Sequence, residues 1–150
     1  MYSFNTYQMV ISNANGSSKF YAIDINSNVN TGISSSKFAE LYNDYNYSIL
    51  DIESIRMDKF ITMNNIDSID FLKIDVEGSS YEVLEGFGNY LSIVKSIHIE
   101  GEYKEVWRNQ RLFPDISNLL HKNGFVLVYY ELHRDSLQND SFWVQHKYIR

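Results

Sequence analysis

The sequence predicts an α/β domain: a parallel sheet covered by helices, with an antiparallel last strand at its edge. Three observations predict it. From Ile69 onward, strand-forming and helix-forming runs follow the order strand, helix, strand, helix, strand, strand, the alternation expected of parallel strands joined by helical crossovers. The last two runs are separated by Asp135–Asp140, enough for a hairpin and too short for a crossover. The chain has 150 residues, 44% hydrophobic and 21% charged, which suits one globular domain rather than a disordered segment.

The first half is the less regular. Tyr7–Ser12 and Lys19–Asp24 are apolar runs on either side of Asn13-Ala14-Asn15-Gly16. Asn-Gly between two strand-forming runs is a turn signal, so the two are expected to pair as a hairpin. Asn26–Ser36 is polar, with Gly32 and several Ser, and reads as a loop. Phe38, Leu41, Tyr42 and Tyr45 have helical spacing inside 37–47, against a composition rich in Tyr and Asn. Ile55, Met57, Phe60 and Ile61 predict a short helix ending at Asn64-Asn65.

The second half is clearer. Ile69–Val76 is a strand, followed by Glu77-Gly78. Ser79 and Glu82 have the spacing of a capping box, and Val83, Leu84, Phe87 and Leu91 continue as a helical stripe. Val94–Ile99 is the next strand, ending at Glu100-Gly101-Glu102. Pro114 suits a helix first turn and Gly124 its stop, around an inner face of Ile116, Leu119 and Leu120. Phe125–Leu132 and Ser141–Ile149 are the final strands.

The net charge of −6 argues against a nucleic-acid partner, which is usually met by a basic face. No apolar run reaches transmembrane length, and the N-terminus lacks the pattern of a secretory leader. Cysteine is absent, so disulfides and thiolate metal sites are excluded. A cytoplasmic protein without nucleic-acid or membrane partners is expected. The Asn-x-Ser matches at Asn15, Asn46 and Asn139 read as chance.

Open α/β sheets bind ligands beyond the carboxyl ends of their strands. Two adjacent parallel strands would bring Asp75, Glu77 and Glu100 to one rim, with Glu102 close by. Such acids also have structural uses. Lys73 shares a strand face with Asp75 and is placed to pair with it. His98 is a conceivable base, but a lone His inside an apolar strand is more often a packed residue. Tyr42, Tyr45, Tyr47, Trp107 and Trp143 are read as packing, and Lys104, Arg108 and Arg111 as a solvated basic cluster.

Lys73-Ile74-Asp75-Val76-Glu77-Gly78, followed by Tyr81-Glu82-Val83-Leu84-Glu85-Gly86, resembles the signature of the FkbM-type methyltransferases. Ser79-Ser80 stands where that family usually has Ala-Glu. Met57-Asp58-Lys59-Phe60, Ile97-His98-Ile99-Glu100 and Gly124-Phe125 resemble flanking elements, and Asn13–Phe20 a middle segment more loosely. The resemblance implies a class I, Rossmann-like fold: a mostly parallel sheet, helices on both faces and an antiparallel last strand. It implies S-adenosylmethionine as cofactor and methyl transfer to a hydroxyl of a small molecule or sugar. By the same resemblance Asp75 and Glu77 are the candidate catalytic groups. Asp75, Ser12 and Asn13 are the candidates for cofactor binding, Glu77 and Glu100 for the acceptor, and no metal is implied.

The family's Gly-rich turn, of the form Asp-x-Gly-Ala-Asn-x-Gly, is not seen. The chain begins beyond the expected first two strands, so it reads as an N-terminally truncated domain spanning 1–150. Phe71–Asp75 is then expected to present an open sheet edge. That edge could be met by a complementing chain, by a second copy, or by the Tyr7–Asp24 hairpin moving inward. Two other functions stay open: a non-catalytic binding module, and a carboxylate-metal hydrolase using Asp75, Glu77, Glu100 and Glu102.

Overall fold

A computed structural model describes residues 4–24, 31–134 and 137–149. The first part of the expected 26–36 loop and residues 135–136 of the last connection lie outside the described residues.

Strands β1 (Val10–Ile11), β2 (Gly16–Ile23) and β3 (Tyr47–Ile55) form a small sheet in the order β1-β3-β2. β3 runs parallel to β1 and antiparallel to β2. The expected hairpin is therefore not formed, because β3 lies between its two arms. The physical reason is register length. β2 pairs along its whole span, from Gly16↔Ser54 to Ile23↔Tyr47, whereas only Val10 and Ile11 of the first run enter a ladder, followed by one bond from the Ser12 N–H to the Ile55 carbonyl at 3.0 Å. The Asn13–Gly16 bend survives, held by Arg56, whose Nη1 donates to the Asn13 carbonyl at 2.8 Å. The helical spacing in 37–47 yields a single 3-10 stretch, Glu40–Asp44.

Helix α1 (Met57–Met63), strand β4 (Ile69–Ile74), helix α2 (Ser80–Phe87), strand β5 (Val94–Glu102), helix α3 (Phe113–Lys122), and strands β6 (Phe125–Leu132) and β7 (Gln138–Gln145) follow. The second sheet has the order β4-β5-β7-β6. β4 and β5 are parallel, and β7 is antiparallel to both β5 and β6. The last strand is thus antiparallel, as the short connection requires, but it is interior rather than at the edge. Its Trp143 is fully buried. Insertion between β5 and β6 satisfies the backbone of β7 on both sides. Both sheets are mixed, and the second has more antiparallel than parallel ladders, so the expected mostly parallel sheet is corrected.

The helices also depart from expectation. Ile61 of α1, Leu84 and Phe87 of α2, and Ile116 and Leu120 of α3 join one core with Ile97 of the sheet. Among the described residues the helices therefore cover one sheet face, not both. On the opposite face Phe71 is 55% exposed and stacks on Phe142 with ring centroids 6.2 Å apart. β4 has β5 as its one ladder partner among the described residues, so its outer edge is open as expected. The N-terminal strands do not move in to cover it; they build the other sheet.

A second core ties the small sheet to the β5–α3 connection. Tyr42 and Trp107 are almost wholly buried, Trp107 Nε1 donates to Tyr42 Oη at 3.0 Å, and Tyr42 Oη donates to the Ile33 carbonyl at 2.6 Å. Trp143 lies in the first core. The packing reading of these three rings holds. Among the described residues no helix is long and apolar enough to cross a membrane.

Helix α2 is seated by close approach. A Cβ at Gly86 would stand 2.3 Å from the Ser12 carbonyl oxygen. Gly86→Ala should destabilise the domain by about 1–3 kcal/mol, the usual cost of overpacking, read as a lower urea midpoint. An unchanged midpoint would mean that the Ser12 strand end does not rest on α2.

Candidate functional site

The site is built on the turn between β4 and α2. β4 ends at Ile74, and Glu77 and Gly78 both adopt left-handed backbone, with φ of 44° and 79°. A left-handed glutamate costs about 1–2 kcal/mol, so surrounding contacts must hold it. Ser35 Oγ donates to the Glu77 carbonyl at 2.6 Å. Trp107 packs so close to Gly78 that a Cβ there would meet its side chain at 2.8 Å. Glycine is required at this position for both conformation and space.

The start of α2 shows the right helix boundary with the wrong cap. Ser79 is the N-cap residue but makes no capping bond. Its Oγ shares a hydrogen bond with Ser36 Oγ at 2.8 Å, and Glu82 pairs with Lys37 at 2.7 Å. Long-range partners from the segment between β2 and β3 have taken both members of the expected capping box.

Four carboxylates lie around this turn. Lys73 Nζ donates to Asp75 Oδ2 at 2.9 Å. That bond, with the charge of Lys73, holds the Asp75 carboxyl below its ordinary range. Glu77 is half-buried, and burial together with the charges of Glu102 and Asp75 pushes its carboxyl up to about 7. Glu100 is likewise pushed up to about 7 by burial and by Glu77 and Asp75. It hydrogen-bonds to Asp75, so the protonated Glu100 is the donor and Asp75 the acceptor. Glu102 is buried and also raised, burial being the main cause. It accepts from Gln110 Nε2 at 3.0 Å and from the Gly78 backbone N–H. Glu100 and Glu102 belong to β5 itself, which runs three residues past the expected end at Ile99.

Two cavities meet at Glu77. One, of about 270 Å³, is walled by Val10, Ile11, Phe20 and Val76 and bordered by Asp75 and Glu77. The other, of about 410 Å³, is walled by Ile33, Leu41, Val106 and Leu137 and bordered by Glu77 and Glu100. The structure therefore brings Asp75, Glu77 and Glu100 together. It does not bring Ser12 and Asn13 to them. Asn13 Nδ2 donates to Glu85 Oε2 at 2.7 Å, and Ser12 lies against Gly86 near the far end of α2.

His98 is not a core residue. It stands half-buried on the uncovered sheet face, with Nε2 3.1 Å from Asp140 Oδ1. The basic cluster is solvated: Arg108 pairs with Glu40 at 2.6 Å, and Arg111 with Asp115 at 3.9 Å. No group of three or more His, Cys, Asp or Glu among the described residues is arranged to hold a metal ion. The cavity walls from β1, β2 and the 106–107 segment had no local signature. The one available signal was Leu50, Ile52 and Ser54 alternating with Asp51 and Glu53, which marks β3 and hence the sheet that carries Phe20.

A mixed α/β domain with an acidic, part-buried strand tip between two cavities has the organisation of a small-molecule enzyme site. The Methyltransferase FkbM domain matches residues 3–127, and the chain belongs to this family. No curated protein matches the chain, and no solved structure does.

The raised carboxyls fix the sign of a pH effect on stability. Glu77 and Glu100 bind protons more tightly folded than unfolded, so their contribution is full below the ordinary glutamate range and is lost as pH rises through about 7. The melting temperature should fall between about pH 5 and 8, and Glu77→Gln with Glu100→Gln should flatten that slope. A slope unchanged in the double variant would place the titration elsewhere.

Proposed function

We propose that this domain carries out S-adenosylmethionine-dependent methyl transfer to a hydroxyl of a small molecule or sugar. The observation that carries the reading is the position of Glu77. It is held on a strained turn between two cavities, with its carboxyl near neutrality. A general base is most effective when its pKa lies near the working pH. Family membership supports methyl transfer as the class of reaction.

The residues fit such a donor in chemistry. The smaller cavity joins an apolar wall, Val10, Ile11, Phe20 and Val76, to the carboxylates of Asp75 and Glu77. Apolar walls suit the uncharged parts of the donor, and an acidic border suits its cationic groups. Its volume lies slightly below the range of about 300–1,000 Å³ usual for small-molecule sites, which suits one part of the donor. When bound, S-adenosylmethionine supplies an electrophilic methyl, and a C–O bond forms as its S–C bond breaks.

The chain's own groups then divide the work. Asp75, kept ionised by Lys73, sets a fixed negative charge at the border. Glu77 takes the proton of the acceptor hydroxyl. Glu100, raised into the same range by burial and by Glu77 and Asp75, stands beside the base on the acceptor side. Alignment of the two reactants contributes more than any single group, since in-line transfer between bound partners is mainly a matter of position.

Calorimetric titration with S-adenosylmethionine tests the donor half. Heat of binding is expected, with affinity reduced roughly tenfold in Asp75→Asn, the scale of one charged contact. No heat from the wild-type domain would leave a non-catalytic module as the surviving function. For the chemical half, Glu77→Gln should lower turnover by about 10²–10⁴-fold while leaving folding intact. Wild-type turnover should rise with pH to a plateau above about 7, where Glu77 is ionised.

A further inference from the structure

We propose that the larger cavity is the acceptor site, and that it selects hydroxylated acceptors bearing a positive charge, amino sugars or amino alcohols, over anionic ones. This rests on the methyl-transfer reading, since it names the substrate class for the site opposite the donor. The cavity is about 410 Å³, within the range for one sugar-sized ligand.

Its hydrogen-bonding chemistry is one-sided. The polar side chains on the lining are Glu77, Glu100, Trp107 and Gln138. The Trp107 indole N–H is already given to Tyr42 at 3.0 Å. The Gln138 side chain is already bonded to Glu102. Beside the remainder of the Gln138 amide, what faces the cavity is two carboxyls, which when ionised only accept. A ligand must bring the donors, and hydroxyl and ammonium groups do so. A phosphate or carboxylate brings acceptors and like charge.

The surrounding charge acts in the same sense. Among the described residues, none that lines this cavity is basic. Three nearby cations are committed elsewhere: Lys73 to Asp75 at 2.9 Å, Lys37 to Glu82 at 2.7 Å, and Arg108 to Glu40 at 2.6 Å. Buried Glu102 adds negative potential behind Glu77. The apolar walls, Ile33, Leu41, Val106 and Leu137, keep the local dielectric low and focus that field into the cavity. They also suit the C–H face of a sugar ring.

Three probes sharing one ring test the inference: glucosamine, glucose and glucose 6-phosphate. Each is titrated without donor into the domain near pH 7, where Glu77 and Glu100 are partly ionised and the glucosamine ammonium keeps its proton, and followed by NMR shifts of residues lining the cavity. Glucosamine should bind at least about tenfold tighter than glucose 6-phosphate, with glucose between them. Val106→Trp should abolish the shifts by filling the cavity, and Phe20→Trp, in the smaller cavity, should not. Should Val106→Trp fail to fold, Glu100→Gln carries the test by narrowing the preference for glucosamine. Glucose 6-phosphate binding as tightly as glucosamine overturns the inference. So does the absence of shifts at the cavity with any probe. If the preference appears but S-adenosylmethionine gives no heat, the cation-selective cavity stands and the methyl-donor reading falls. If S-adenosylmethionine binds but the preference is absent, the reverse holds.

Discussion

The hydrogen bond from Ser35 Oγ to the Glu77 carbonyl is the contact on which the site depends. It holds a non-glycine residue in left-handed backbone at the tip of β4. That conformation directs the chain into α2 and sets Glu77 between the two cavities. The bond comes from outside the β4–α2 unit, from a segment bridged to β2 through Tyr21 and Ser35. The small sheet is therefore a structural part of the site: it anchors the segment that clamps the turn and supplies one wall of the smaller cavity.

Trp107 secures the same turn from the other side. It packs on Gly78, bonds to Tyr42 and pairs through its backbone with Ala39. One ring thus joins the strand tip, the aromatic core of the small sheet and the β5–α3 connection. The carboxylates can gather here because the donors around them are unequally shared. Asp75 has a lysine, Glu102 has amides, and Glu77 and Glu100 have less than they need as anions. Burial without a full complement of donors disfavours the charged form. The near-neutral carboxyls follow from that shortage. Kept close to their titration point, these groups can hold or release a proton at little cost.

Much of this was legible in the sequence, and the boundary has physical causes. The second half follows local rules: Pro114 and Gly124 bound α3, Phe125–Leu132 is the strand its composition indicates, and the Asp75–Gly78 acids follow a run of strand-formers. Each of these depends on residues within a few positions. Local rules fail, in either half, where a distant partner competes with a local one. Asn-Gly should have closed a hairpin, but β3 offers β2 a full ladder. Ser79 and Glu82 should have capped α2, but Ser36 and Lys37 take both side chains.

By itself the sequence determined the strand and helix periods of the second half, the acids beyond β4, the Lys73–Asp75 pairing and the family signature. These are encoded in spacing along one segment. Only the tertiary structure decided that β7 lies inside its sheet, that the helices crowd one face, and that Glu77 is held left-handed between two cavities. Those outcomes turn on contacts tens of residues apart in the chain, such as Ser35 with Glu77 and Trp107 with Gly78. No local pattern reports which distant group will fill a given space or satisfy a given carbonyl.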